Sequence, residues 1–297
     1  MKRAISLTVR VPGSCGELMQ GQIDDIPFLV TCPINKYVAV TIHPNRSQDD
    51  YFIGDKAKRA IQVTCDYLNV PSFSSALEIV SELPVGKGMA SSSADILATC
   101  HAVALSFGKR LGEQETFRLA LQVEPTDAVC YRGIVLADHI GGRRFERMGE
   151  APRMKIAVFD YGGMVDTVAF NARRDLIGLN RAKQQRISEA LFYIRKGFLT
   201  NNTAFIGKGA TISAIANQPI LYKEGLMDII QIAKEEGAVG VNVAHSGTVL
   251  GVLFNESSCK NYERCIARVE EAVSAVRFYT DVNLVSGGVE IGGKTDE

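Results

Sequence analysis

Apolar and polar residues alternate at the start of the chain, where Ile5, Leu7, Val9 and Val11 share one face of a predicted strand ending at Pro12-Gly13. Val38, Val40 and Ile42 repeat the pattern before Pro44. The period then lengthens. Residues 56–67 read as a helix, 76–83 as a strand, and Ile96, Cys100, Val103 and Phe107 mark a second helical stripe. A further helix is predicted over 113–123 and a strand over 133–138, followed by a turn at Gly141-Gly142. Pro152 lies in a polar, turn-like stretch. Beyond it come a strand at 155–160 and a helical stripe of Ile187, Leu191, Ile194 and Phe198. Leu226, Ile229, Ile230 and Ala233 form another, and Tyr262, Ile266, Val269, Val273 and Val276 a third. Strands at 248–254 and 278–285 complete the second half. The mixture predicts an α+β fold of two domains, residues 1–150 and 151–297, with the crossing near Pro152.

Composition narrows the function classes. A chain of 297 residues with 46% hydrophobic and 22% charged residues can bury an ample core. Lys+Arg and Asp+Glu balance at 33 each, so no strong field for nucleic acid or an anionic membrane is expected. The clusters Lys56-Ala57-Lys58-Arg59 and Arg143-Arg144 read as solvated surface. The N-terminus alternates instead of forming a signal-peptide core, and no apolar run approaches the ~20 residues of a membrane span. Seven scattered cysteines lack zinc spacing and fit reduced, buried thiols, which points to the cytoplasm.

The chemistry concentrates in the loop Pro84, Val85, Gly86, Lys87, Gly88, Met89, Ala90, Ser91, Ser92, Ser93 and Ala94. Two glycines let the backbone bend around an anion, and three hydroxyls follow where a helix begins. A loop entering a helix N-terminus offers unpaired N–H groups and a positive dipole end to phosphate. The same residues also suit a serine-rich cap on an ordinary strand–turn–helix. A Walker A loop is absent, since no Gly-x-x-x-x-Gly-Lys-Ser/Thr run occurs.

Pro-x-x-x-Gly-x-x-Ser-Ser-x-Ala resembles the second motif of the GHMP kinases, Pro-x-x-x-Gly-Leu-Gly-Ser-Ser-Ala-Ala. Met89 stands for the Leu, Ala90 for the second Gly and Ser93 for an Ala, with Lys87 an added cation. Residues 11–21, with Ser14, Cys15, Gly16, Glu17 and Gln20, can be a simple hairpin turn. They are also similar in position to the family's first motif, which lines the acceptor pocket. Pro-x-Ser-Cys-Gly-Glu-Leu-x-Gln-Gly is similar to the L-threonine kinase branch of cobalamin biosynthesis, as is Cys32-Pro33. Residues 241–251, containing His245, Ser246 and Gly247, resemble the third motif, which closes over phosphates and substrate. A lone histidine in a turn is more often a positional hydrogen-bonder than a catalyst. Ser286-Gly287-Gly288-Val289-Glu290 looks like that branch's ending, or simply a tight turn.

Glu124-Pro125-Thr126-Asp127 places two carboxylates three residues apart, in a solvated turn or a helix cap if nothing more is asked of them. The resemblance implies more. Asp127 becomes the base facing the acceptor hydroxyl, and Ser92 with Glu124 the ligands of Mg²⁺. Glu17 becomes the partner of an amino acid's ammonium. The implied architecture is a two-domain GHMP-kinase α/β sandwich with the active site between its halves. The implied reaction transfers phosphate from ATP to the hydroxyl of L-threonine, giving O-phospho-L-threonine. The partners are then small molecules, with no nucleic acid and no membrane. Three alternatives remain open at this point: another small alcohol such as homoserine, a non-catalytic nucleotide-binding relative, and ATP-dependent decarboxylation. Intact Asp127 argues against homoserine kinases, which commonly lack that base.

Overall fold

The computed structural model describes residues 6–44, 46–166, 169–170 and 172–294; Ile5, expected in the first strand, lies outside them. Strand β1, Ser6–Ile23, and strand β2, Ile26–His43, form a long antiparallel hairpin. Asp24 and Asp25 turn it, both at positive φ (51° and 58°), as a two-residue hairpin loop with the strands' own twist requires. The chain continues through helix α1, Asp55–Leu68, strand β3, Ala76–Ser81, and helices α2, Ser91–Ser106, and α3, Glu113–Leu121. Strands β4, Ile134–Ala137, β5, Phe145–Gly149, and β6, Met154–Asp160, come next. Helices α4, Leu176–Ala182, α5, Gln184–Leu199, α6, Thr203–Ala216, and α7, Leu226–Glu235, precede strands β7, Gly240–Val243, and β8, Val249–Asn255. Helix α8, Tyr262–Ala272, and strands β9, Arg277–Asn283, and β10, Glu290–Lys294, finish the described chain.

The α+β class expected from the pattern is observed. All ten described strands join one sheet in the order β5-β4-β2-β1-β7-β8-β6-β9, with β3 on β2 and β10 on β1. Every pairing among them is antiparallel. β1 meets β7 through the single pair Glu17↔Val243, so a predicted site residue sits where the strands of the two halves of the chain join. Apolar side chains gather in two clusters, one of them drawn wholly from residues 157–276. All seven cysteines are free. Among the described residues no helix is long and apolar enough to cross a membrane.

Two expectations are corrected, and one helix was not anticipated. β1 does not end at Pro12-Gly13; it runs on to Ile23 through register shifts between Pro12 and Met19. Proline is tolerated at such bulges because the ladder is already interrupted there. Helix α2 is not a one-sided stripe, because nearly every residue from Ser93 to Ala104 is buried. A helix surrounded by protein has no polar face to reveal its period. Helix α6 escaped the pattern altogether. Its Gly207 and Gly209 depress helix propensity, yet Gly207 lets it approach the sheet closely and Gly209 lets it approach helix α5. A Cβ on Gly207 would lie 2.1 Å from the Val239 carbonyl oxygen.

Gly207→Ala tests that contact. At an open helical position the change gains about 1 kcal/mol; against this carbonyl it should lower stability by about 1–3 kcal/mol. Urea unfolding measures the sign.

Candidate active site

Three loops meet backbone to backbone. Ser14 N–H donates to the Met89 carbonyl (3.0 Å) and Gly16 N–H to that of Gly88 (3.1 Å). From the other side, the N–H groups of Thr248 and Val249 donate to the Lys87 carbonyl at 2.9 and 3.1 Å. Gly88, at φ +82°, packs so tightly that a Cβ would fall 2.4 Å from Ala244 Cβ. A Cβ on Gly247 would lie 2.4 Å from Gly88 Cα. The sequence motifs around residues 14–17, 84–94 and 241–251 are thus brought to one place.

Helix α2 starts from Ala90, held in the left-handed region at φ 56° with no capping side-chain hydrogen bond. Its first-turn N–H groups therefore have no capping side chain, and they belong to the three serines. Ser91, Ser92 and Ser93 line a cleft of about 410 Å³ together with Glu17, Glu124, Asp127 and Ser246. Gly86, Gly88, Val85, Met89 and Ala90 also line it; Pro84, Lys87 and Ala94 do not.

Ser92 Oγ donates to Glu124 Oε1. Between the two lies an unforeseen group, the Lys56 ammonium, 2.9 Å from Ser92 Oγ and 2.7 Å from Glu124 Oε2. It is the one lysine or arginine among the described residues lining this cleft. Lys87, the cation expected to serve the loop, is turned aside. Its Nζ binds Asp160 Oδ2 at 2.6 Å and the Gly163 carbonyl at 2.8 Å, tying the loop to the end of β6.

Asp127 is half-buried in the wall of the cleft. Oδ2 accepts from Ser93 Oγ (3.2 Å), whose oxygen in turn accepts from Asp127 N–H (3.0 Å); Oδ1 has no partner. Burial, then the charge of Glu17, raises its pKa to about 7. Glu17 is also raised to about 7 by burial, with hydrogen bonding from His245 and the charges of Lys223 and Lys183 opposing.

Glu17 Oε2 accepts from both the backbone N–H and Nδ1 of His245, each at 2.9 Å. Burial holds His245 well below its ordinary pKa, so the ring is neutral and the contact is a hydrogen bond between groups, not an ion pair. Ser213 Oγ lies 3.1 Å from Nε2 and also accepts from Gln20 N–H. A hydroxyl donating to Nε2 leaves the proton on Nδ1, facing Glu17. His245 thus holds Glu17 in place. Ser14 is buried against the loop of residues 84–94, Cys15 beside Asn242 and Gly251, and Gly16 against Ala244, while Gln20 lines a neighbouring cavity.

Residues 55–133 match the family model of the GHMP kinases N terminal domain. Over 291 residues the chain is 30% identical to the L-threonine kinase of Salmonella typhimurium, covering 94% of each. It is 30% identical to that of Citrobacter freundii over 83% of this chain and 85% of the relative. This chain belongs to the GHMP kinases. A putative homoserine kinase from Listeria monocytogenes superposes with a TM-score of 0.67 over 96% of this chain and 99% of its own, at 14% identity. That likeness shows the shared fold. As a GHMP kinase the protein is a small-molecule kinase that uses ATP.

Nothing local in the sequence distinguished Lys56 from its neighbours Lys58 and Arg59; only the packing of α1 beside α2 selects it. In this GHMP kinase Lys56→Ala should weaken ATP binding about tenfold. The deficit should shrink at high salt, because the side chain is 48% exposed. Calorimetric titration at two ionic strengths measures both effects.

Proposed function

We propose that this protein is an L-threonine kinase, forming O-phospho-L-threonine and ADP, in the cytoplasm, for synthesis of the cobalamin side chain. One observation carries the reading. A serine-lined helix N-terminus, Ser92 beside Glu124, and the half-buried carboxyl of Asp127 all face one cleft. The two L-threonine kinases that share 30% of its residues support the acceptor. The seven free cysteines fit a reducing compartment.

Phosphoryl transfer needs the acceptor oxygen, the γ-phosphorus and the leaving oxygen in line, with charge on the equatorial oxygens neutralised. The first-turn amides of α2 and the Lys56 ammonium supply positive potential at the cleft. Asp127 removes the proton of the threonine hydroxyl as its oxygen bonds to phosphorus and the bond to ADP breaks. Its unpartnered Oδ1 is the oxygen free to do so. A binding-only relative would have no use for a half-buried carboxylate of this kind.

Ser92 and Glu124 fit a hard cation. They bring a hydroxyl and a carboxylate together, and an ammonium already bridges them. These two residues would hold Mg²⁺, with phosphate oxygens and waters completing the shell. Bound there, the ion neutralises phosphate charge. With Ser92 and Glu124 given to a cation, the Lys56 ammonium that now bonds both would be available to a polyphosphate.

Two outcomes are expected. Asp127→Asn should lower kcat by roughly 10²–10⁴-fold while ATP affinity, read by calorimetry, is nearly kept. In the wild type, kcat/KM for threonine should fall as pH drops through about 7, because the base must be ionised to work. A loss of ATP affinity with kcat intact would refute the assignment.

Stability should run the other way. Folding raises the Asp127 pKa from 3.8, so between about pH 4 and 7 the native state holds a proton that the unfolded chain has released. Its contribution to stability therefore falls as pH rises through that window, and Asp127→Asn should melt higher than wild type at pH 8.

A further inference from the structure

Beside the cleft lies a second cavity of about 410 Å³, lined among others by Gln20, His139, Lys183 and Asn217. The two have no lining residue in common but are flanked by the same strand. On β1, Glu17 lines the cleft while Gln20, three residues on, lines the second cavity. Opposite, Thr126 N–H donates to the His139 carbonyl at 3.0 Å, so the segment carrying Asp127 is bonded to the segment carrying His139.

The second cavity holds a buried, uncompensated cation. Lys183 is 6% exposed, and among the described residues its Nζ has one hydrogen-bond partner, Asn217 Oδ1 at 3.1 Å. No carboxylate approaches it within 4 Å among the described residues, although it lies within the field of Glu17. An ammonium has three donors, so two remain unused. Asn217, 2% exposed, also leaves Nδ2 without an acceptor. A buried charge without a counter-ion is costly and rarely kept without use. The other cations of the cavity are already engaged: Arg173 on Asp175 and the Ile220 carbonyl, Arg181 on Asp25.

Opposite in charge and close by, Glu17 gives only Oε2 to His245; Oε1 has no hydrogen-bond partner among the described residues. A carboxylate and an ammonium within each other's field are therefore set apart by more than contact distance, each with unused bonding capacity, and the carboxylate shares its cleft with Asp127.

We infer that Lys183, with Asn217, is the receptor for the α-carboxylate of the acceptor, and that with Glu17 it forms a slot for a zwitterionic amino acid. The acceptor's carboxylate takes the two free Lys183 donors and Asn217 Nδ2, its ammonium takes Glu17 Oε1, and its side-chain hydroxyl is left facing Asp127. Charge-assisted bonds of this kind are about twice as strong as neutral ones. The slot selects amino acids over plain alcohols by leaving two buried charges unpaired when the wrong acceptor enters. This inference rests on the proposed threonine kinase activity and names the residues that would read its substrate.

The test compares L-threonine with 1-amino-2-propanol, which keeps the ammonium and hydroxyl and lacks the carboxylate, in wild type and Lys183→Met. In wild type the missing carboxylate should cost about 100-fold in kcat/KM. In Lys183→Met that ratio should collapse towards one. Calorimetric affinity for threonine, in the presence of a non-hydrolysable ATP analogue, should fall to a similar extent. The melting temperature should not fall, since an apolar chain replaces an unpaired buried charge. Should Lys183→Met not fold, Asn217→Asp gives the same readout by setting a competing carboxylate beside the ammonium. Wild-type phosphorylation of threonine with an undiminished ratio in the variant overturns the carboxylate receptor alone. Failure of the wild type to phosphorylate threonine, with another alcohol accepted, overturns the kinase reading beneath it.

Discussion

Everything in the site depends on how closely two backbones can approach at Gly88 and Gly247. With no side chain on either, the loop of residues 84–94 from the first half of the chain touches the turn after β7 from the second. Four backbone hydrogen bonds then lock the loop between residues 14–16 and 248–249. Hydrogen bonds of this kind contribute only about 1 kcal/mol apiece, yet together they fix a register that side chains alone would leave loose. Lys87 adds to the lock through Asp160. A residue that looks like a phosphate ligand in the sequence is, in the folded chain, a strut.

The electrostatics of the cleft follow from that closure. Drawing the halves together buries Glu17, His245, Lys183 and Lys223 in one neighbourhood, with Asp127 half-buried within the field of Glu17. Burial penalises every charged form, so the carboxyls move up while the lysines and the histidine move down. The result is a carboxyl, Asp127, whose pKa lies near neutrality in the wall of the cleft. Stability is surrendered locally to obtain it, and the large surrounding core carries the loss.

His245 shows how a chemically suggestive residue can be turned to support. Its ring is fixed between Ser213 and Glu17, is neutral, and is almost entirely out of solvent. It hands orientation to Glu17 much as Ser93 does to Asp127. Lys56 shows the converse: an exposed-looking lysine in a charged run becomes the cation of the cleft once α1 packs against α2.

The sequence by itself determined the α+β class, the family and the loops that meet in the site. Those properties rest on local rules: period two or 3.6, turn residues, and motif spacing. It left unread helix α6, whose glycines answer to a neighbour far along the chain, and the continuation of β1 past Pro12, which needs a bulge in its partner's register. It could not separate Lys56 from Lys58, nor find Lys183 and Asn217, which belong to no motif. Only the tertiary structure decided which charges lost their water and which kept a free bond. Desolvation and unmet hydrogen bonds are properties of what surrounds a group, and its surroundings come from residues tens to hundreds of positions away.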